Sequence, residues 1–542
     1  MGLDTAKDGL AIHAPPPPPP RDRSKKRSAP AGPPLEGTRK SARSSGIIQS
    51  PEEIETIRIA EQEELNWLIA QAQIAKHAPR PIEALRGVLG SGSTQSLYKT
   101  LASVAAEEQP AKPRPNTSPR KPKGREVPRP LVNEPEDHEG EDELRESLEK
   151  LVLRDLVKVV PERIYCLLVH PSETKDIVII GDKKGHVGIW DATHAGEKPS
   201  VANGAIRATG GVDQDEDMVD GQATFWHWKA HSGTISSLRF PPLGTAGGIS
   251  KLYSSSYDCT VRVTDLHTGT SSEVIDADKL DDAEPLVHNV DFTQDGNEIW
   301  GEQKRHLFSE KYFEQASSFT ACDNNGGIIF RDLREPMETT RRWQVEKYKI
   351  GCISLNPVDR FTAVTAHLKR EMRIWDLRKL LGMPTGSPIE TYDECVVARY
   401  GYEKACTSAY FDQTGTRILS TSYDDTIRVW DDLDSTNFAA LNEEGAFEPS
   451  QLIHHDVQTG RYCSVFKATW VTSPATVPIF TIGDMQRVLD VVASTTGTRL
   501  AGLTGEIITS VPAATAAHPI TPGKYYGGTA AGKVSFYSNP VE

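Results

Sequence analysis

The sequence predicts an all-β fold built from seven repeated units, carried behind a long and mostly disordered N-terminal tail. Two observations lead there. A short strand pattern ending in an aromatic residue and Asp returns several times between residues 187 and 536. A change of texture near residue 155 separates Pro- and Lys/Arg-rich sequence from sequence that reads as short strands and turns.

The tail is taken as residues 1–150. Pro15 to Pro20 is an unbroken proline run, which favours an extended polyproline helix. Arg21, Arg23, Lys25, Lys26 and Arg27 follow it, and Arg39, Lys40 and Arg43 form a second basic cluster. Ser50-Pro51-Glu52-Glu53 reads as a helix start, with Ser as cap, Pro in the first turn and Glu three residues on. Ile54, Ile57, Leu65, Leu68 and Ile69 follow at mostly helical spacing, and Pro79 and Pro81 end the pattern. A short helix near 51–78 is therefore expected, its apolar stripe packing on the main domain or on another protein. Pro and Lys/Arg alternate through 109–130, and an acidic run over 134–149 closes the tail.

Charge divides the same way. Residues 1–130 carry 21 Lys/Arg against 14 Asp/Glu, a net +7, and the remainder carries 40 against 61, a net −21. A basic tail on an acidic body suits contact with nucleic acid or an acidic partner, or a nuclear import signal. The seven cysteines are scattered, odd in number and without a Cys-x-x-Cys pair, which argues against a disulfide framework or zinc site and for a reducing compartment. No apolar stretch approaches the ~18 residues of a membrane span, and the opening Met1-Gly2-Leu3-Asp4 carries no apolar signal region. No membrane association is expected.

The repeat fills 155–540. Its copies are Val187-Gly188-Ile189-Trp190-Asp191, Val261-Arg262-Val263-Thr264-Asp265, Ile328-Ile329-Phe330-Arg331-Asp332, Met372-Arg373-Ile374-Trp375-Asp376 and Ile427-Arg428-Val429-Trp430-Asp431. Weaker copies stand at 487–490 and 533–536. Tight turns such as Tyr257-Asp258-Cys259 and Tyr423-Asp424-Asp425 precede strong copies. Small-residue strands, Tyr253-Ser254-Ser255-Ser256 and Leu419-Ser420-Thr421-Ser422, precede those turns and are expected to be crowded inner strands near a central channel. The alternation in Thr426 to Trp430 marks a period-two strand. The pattern resembles the WD repeat, whose units are four-stranded blades; seven close a β-propeller, and here closure rests on the two weak copies. The turn Asp of such a blade is supplied by Asp258 and Asp424, whereas the fourth blade has Lys369 there, read as an unpaired lysine.

A longer resemblance runs through Pro161-Glu162-Arg163-Ile164-Tyr165, Ser236-Ser237-Leu238-Arg239-Phe240, Ile353-Ser354-Leu355-Asn356-Pro357, Gln458-Thr459-Gly460-Arg461, Ile482-Gly483-Asp484-Met485 and Gly527-Gly528-Thr529. This ordered set resembles the fungal DNA damage-binding WD-repeat family, itself similar to the small subunit of the UV-damaged-DNA-binding complex. Arg39-Lys40-Ser41-Ala42-Arg43 resembles the basic motif of that family's tail. Glu302 to Ser317 departs from it, which makes the third blade the doubtful one.

The resemblance implies a nuclear protein without catalysis or cofactor. It would bind single- and double-stranded DNA with preference for UV-damaged duplex, and would act in DNA metabolism or the damage response. Lys347 and Lys349 stand where the damage-binding subunit carries a DNA-contacting lysine, and their spacing puts both on one side of a strand. The loop from His454 to Tyr462 matches a lesion-probing hairpin but lacks its aromatic-aromatic tip. Gln458, Arg461, Tyr462 and Lys467 are its candidate DNA contacts, and Lys369 joins them. Tyr462 either stacks on an exposed base or is a core residue at a strand start. An acidic body binds DNA only if its basic residues are segregated, so Asp213–Asp217 and Asp276–Glu284 are expected on an edge away from the DNA.

Trp375-Asp376-Leu377-Arg378 resembles the motif by which propellers dock on the cullin-ligase adaptor, and Asp332-Leu333-Arg334 is a looser copy. Trp375, Asp376, Arg378 and Arg334 are thus candidate partner contacts. They support an alternative reading as an interaction scaffold or cullin-RING ligase substrate receptor, with chromatin proteins as further partners. No phosphate-binding Gly-x-x-x-x-Gly-Lys-Ser/Thr, His-Glu-x-x-His or Gly-x-Ser-x-Gly occurs. His454-His455 is too small a ligand set for a metal. No enzyme, cofactor or small-molecule substrate is expected.

Overall fold

Each copy of the repeated pattern forms the third strand of a four-stranded antiparallel sheet, because its alternating residues bury one face against each neighbouring sheet. The computed structural model describes residues 80–81, 89–92, 94–105, 137–196, 224–241, 249–280, 285–292, 318–433 and 447–540. The expected helix at 51–78, Asp213–Asp217 and Glu302–Ser317 lie outside them.

Blade 1 runs outward as Ile164–Val169, Ile177–Asp182, His186–Asp191 and Thr224–Lys229. Blade 3 is complete, as Val287–Phe292, Ser318–Asp323, Gly327–Asp332 and Arg341–Gln344. Blade 4 is Ile350–Leu355, Thr362–His367, Glu371–Asp376 and Val396–Gly401. Blade 5 is Cys406–Phe411, Ile418–Ser422, Thr426–Trp430 and Gln451–His454. The weak copies are the third strands Val488–Ala493 and Lys533–Ser538, so there are seven blades. First strands of neighbouring blades pack together around a central channel. The small-residue strands Lys251–Ser256 and Ile418–Ser422 are second from the channel, inner strands as expected. They are fully buried between their neighbours, and it is this enclosure that demands small side chains.

The ring is closed by the N-terminal side of the chain. Val152–Lys158 pairs antiparallel with Lys533–Ser538, from Val152 opposite Ser538 to Lys158 opposite Lys533, and completes blade 7. The propeller thus begins at 152 rather than 155.

Some residues before it pack on the propeller as well, which departs from the expected tail over 94–105 and 137–149. Helix α1 (Thr94–Ala105) buries Leu97, Leu101 and Val104 against Trp226 and Trp228 of blade 1. Short strands Arg80–Pro81 and Leu89–Gly90 extend the outer edges of blades 2 and 1. Helix α2 (Asp137–Glu149) lies within the acidic run and buries Leu148 near Leu500 and Leu503. Its Glu141 is buried and accepts a 2.7 Å bond from Thr496 Oγ1. Most of its acidic residues face outward, so composition alone hides the helix.

Turn carboxylates tie the blades. Buried Asp182 accepts from the backbone N–H of Lys184 and His186, each at 2.8 Å. Asp258 holds His231 and Thr260, and Asp424 takes the Arg428 fork at 2.9 and 3.0 Å. In blade 4 the missing carboxylate is replaced by buried Glu346, which accepts from Arg373 at 2.9 Å and from Lys369 at 3.4 Å. Lys369 is therefore paired, contrary to expectation: its counter-charge arrives from the loop of the preceding blade.

One irregularity recurs. In six of the seven inner strands the pairing slips by one residue just after the strand start, at Tyr165, Ser236, His288, Gly351, Thr407 and Ala513. Each skipped residue is a β-bulge, which turns a side chain out of the ladder.

Candidate nucleic-acid interface

Antiparallel blades put all loops entering a first strand, and all turns between second and third strands, at one end of the ring. Lys347, Lys349, Lys369, Gln458, Arg461, Tyr462 and Lys467 all lie at that end. Arg334, Asp376 and Arg378 lie at the opposite end, Asp376 closing a third strand and the two arginines in the connections to the fourth. The structure thus separates the two predicted residue sets onto two faces.

The loop 455–468 builds the first face. Strand Thr469–Trp470 is short, so the chain before it is free to run over the channel. Arg163, at the start of blade 1, donates from Nη1 to the carbonyls of Arg461 and Cys463, both at 2.8 Å. Ser464 Oγ donates to the Ile164 carbonyl at 2.6 Å, and the backbone N–H of Ala468 donates to Thr421 Oγ1 of blade 5 at 3.1 Å. Phe466, Cys463 and Val457 are buried beneath. The loop is a fixed bridge across the mouth, not a strand. Tyr462 accordingly is no core residue: it is 64% exposed, with Arg461 exposed beside it. Gln458 spends its side-chain N–H groups on the Tyr423 carbonyl at 2.7 Å and the Asp425 carboxylate at 3.0 Å, and so braces the bridge.

Lys347 and Lys349 lie in the loop before Ile350, not on a strand. Lys347 is exposed at the rim, while Lys349 turns inward. Lys349 and Lys467 lie at the same end of the ring, and among the described residues no carboxylate is paired with either. Burial, then the Lys467 charge, lowers the Lys349 amine from 10.5 to about 8. Neighbouring His288 is buried, lies edge-on to Tyr257 at 4.6 Å, and is pushed down to about 2 by burial and both lysines. Two lysines without a paired carboxylate at one end of the ring suit an anion.

The His288 shift has a sign. The folded state keeps this imidazole neutral, while the unfolded chain takes a proton below pH ~6.5. Stability should therefore fall as pH drops below that point, by about 1.4 kcal/mol per unit from this group. Denaturant titrations at pH 7.5 and 5.5 check it: His288→Gln should narrow the difference, and an unchanged difference would rule the group out.

Sequence reasoning missed part of this face. Tyr348 and Leu368 are 54% and 50% exposed, and Val465 also projects there. The Leu368 N–H bonds to the Lys349 carbonyl, which places this apolar pair beside Lys349. The repeated Ser-Tyr-Asp turns at 256–258 and 422–424 were the available signal for the tyrosines. The expected acidic edge is not segregated from this face: Asp276 and Asp278 follow the fourth strand of blade 2 at the same end of the ring, though Asp276 is buried.

On the opposite face Arg378 is 63% exposed and binds Asp376 through Nε at 3.0 Å, above the Phe361 ring at 5.5 Å. Arg334 binds Asp332 in the same way. Trp375 is buried, with its N–H on Thr365 Oγ1 at 2.7 Å, and is out of a partner's reach. His455, Asp484 and Asp490 cluster closely enough for a metal, but His455 Nε2 bonds the Gly483 carbonyl and Arg499 pairs with Asp490.

Comparison with known proteins follows the same lines. A family model described as WD domain, G-beta repeat matches residues 223–265 and 393–431, each an outer strand plus the first three strands of the next blade. The chain is 30% identical over 456 residues to the DNA damage-binding protein CMR1 of Cryptococcus neoformans var. neoformans, covering 73% of this chain and 71% of the relative. It is 28% identical over 599 residues to the protein of that name from Mycosarcoma maydis, covering 92% and 89%. For that of Neurospora crassa the identity is 31% over 392 residues, covering 72% and 67%.

Proposed function

The chain belongs to the WD-repeat family of fungal DNA damage-binding proteins, and from that membership we propose that it is a nuclear DNA-binding protein rather than an enzyme. It binds single- and double-stranded DNA, prefers UV-damaged duplex, and does so through the bridged mouth of the propeller. The observation that carries this reading is the uncompensated pair Lys349 and Lys467, rimmed by Lys347, Arg461 and exposed Tyr462 and Tyr348. Lysines take the place of phosphate counter-ions, and exposed aromatic side chains suit a helix whose bases are partly unstacked.

DNA-binding anisotropy over a salt series tests it, with irradiated, undamaged and single-stranded probes. The shortened comparison chain should begin at residue 80, since α1 and α2 are part of the propeller. Tighter binding to irradiated duplex that survives the truncation is the expected result. Binding that disappears equally for all probes would move the contact to the tail.

A second reading is favoured by the other face. Arg378 is held by Asp376 yet keeps N–H groups with no partner among the described residues, a fork suited to a carboxylate. We place the cullin-ligase adaptor there, with the propeller as substrate receptor. Arg378→Ala should remove the adaptor from a pull-down and leave DNA affinity unchanged; an adaptor retained at wild-type yield would exclude this contact.

A further inference from the structure

The bridge across the mouth carries a turn that is fixed on every side but one. The backbone N–H of Cys463 donates to the Gly460 carbonyl at 3.0 Å, which closes a turn with Arg461 and Tyr462 at its two middle positions. Arg163 of blade 1 holds this turn from outside. Its Nη1 donates to the Arg461 and Cys463 carbonyls, both at 2.8 Å, and its guanidinium lies 5.4 Å from the centre of the Tyr165 ring. Val457, Cys463 and Phe466 root the bridge in a buried apolar cluster with Leu419 of blade 5 and Phe480 of blade 6. Arg461 and Tyr462 are the side chains that the turn leaves exposed.

Gly460 sets where the tyrosine ring lies. A Cβ built on Gly460 would collide with the ring, at Cε1 and, at 2.8 Å, at Cδ1. The ring therefore lies back against bare backbone, while 64% of the residue stays open to solvent.

We propose that Tyr462 is a pre-set stacking platform for one nucleobase that has already left the duplex stack, with Gly460 and Arg163 as the residues that position it. This rests on the reading that DNA lies across the mouth, and it names what that mouth selects. A wedge that opens an intact duplex has to project and push. A ring lying on its own backbone, in a turn whose carbonyls are tied to blade 1, presents a flat surface instead. Every base has a π-face to offer such a surface, so the contact tolerates any sequence. Arg461 beside the ring suits the phosphate next to the displaced base. Lesions of different chemistry are then bound alike when they share one feature, a base out of place.

The test uses the full chain and two probes of one sequence, a matched duplex and the same duplex with one extra unpaired base. The wild type should favour the bulged duplex by roughly tenfold. Gly460→Ala drives the ring off its seat, and the atoms that its methyl group meets belong to a side chain free to swing, so the bridge keeps its hydrogen bonds. It and Tyr462→Ala should each bring the affinity ratio close to one, and Tyr462→Phe should keep it. With 5-iodouracil as the extra base, irradiation of the wild-type complex should cross-link the tryptic peptide Tyr462–Lys467, a readout that needs no variant to fold. Arg163→Ala, which releases both carbonyls, should lower that yield with the tyrosine still present. A ratio unchanged in Tyr462→Ala, or a cross-link on another peptide, would overturn the platform. A ratio lost in Tyr462→Ala but kept in Gly460→Ala would overturn positioning by Gly460, and an equal cross-link yield in Arg163→Ala would do the same for Arg163. Wild-type binding to both probes without preference would sink the platform and leave the DNA reading standing; no binding to either would sink both.

Discussion

A chain starting at Val160 should show no cooperative melting transition, whereas one starting at residue 80 should melt like the whole protein. The shorter chain lacks Val152–Lys158, and the edge of Lys533–Ser538 is then open. It also lacks Leu97, Leu101, Val104 and Leu148, which are fully buried against blades 1, 6 and 7. Burying each such side chain is worth about 1.5–3 kcal/mol, so their joint loss rivals the ~5–15 kcal/mol that keeps a typical domain folded. An open ring also exposes an unpaired strand edge, a template for aggregation. Calorimetry with size-exclusion chromatography reads the outcome. A monomeric Val160 chain melting within a few degrees of the full protein would show that closure contributes little.

The second large effect concerns Lys349 and Lys467. Lys349→Glu combined with Lys467→Glu should weaken duplex binding by roughly 100-fold at physiological salt and lower the salt slope by about 2. Both substitutions are needed. Lys349→Glu alone sets a carboxylate opposite Lys467 and relieves the repulsion there, so it should stabilise the fold while weakening binding. Lys347→Glu, at the screened rim, should cost far less. An unchanged slope in the double variant would place the phosphate contacts elsewhere.

The propeller was legible in the sequence because its third strands, such as Thr426–Trp430, alternate cleanly and end in an aromatic residue and Asp. The two faces were legible as soon as the loops were ordered, since topology alone sends Lys349 to one end and Arg378 to the other. What stayed hidden depended on distant partners. Lys369 reads as unpaired because Glu346 belongs to the previous blade. Gln458 reads as a contact residue until Asp425 is seen to hold it. Helix α1 has a buried stripe of Leu97, Leu101 and Val104, but the tryptophans that need covering lie more than a hundred residues later.

The recurrent slip in the inner strands has a consequence for how such a ring can change. A residue outside the ladder can be exchanged without shifting any neighbour by one place and so without turning the strand inside out. Tyr165, Ser236, His288, Gly351, Thr407 and Ala513 are thus places where a side chain can change while the frame stays still. Gly351→Ala, for one, would only bring a methyl group into ordinary contact with the aliphatic stem of Lys349 at 3.8 Å.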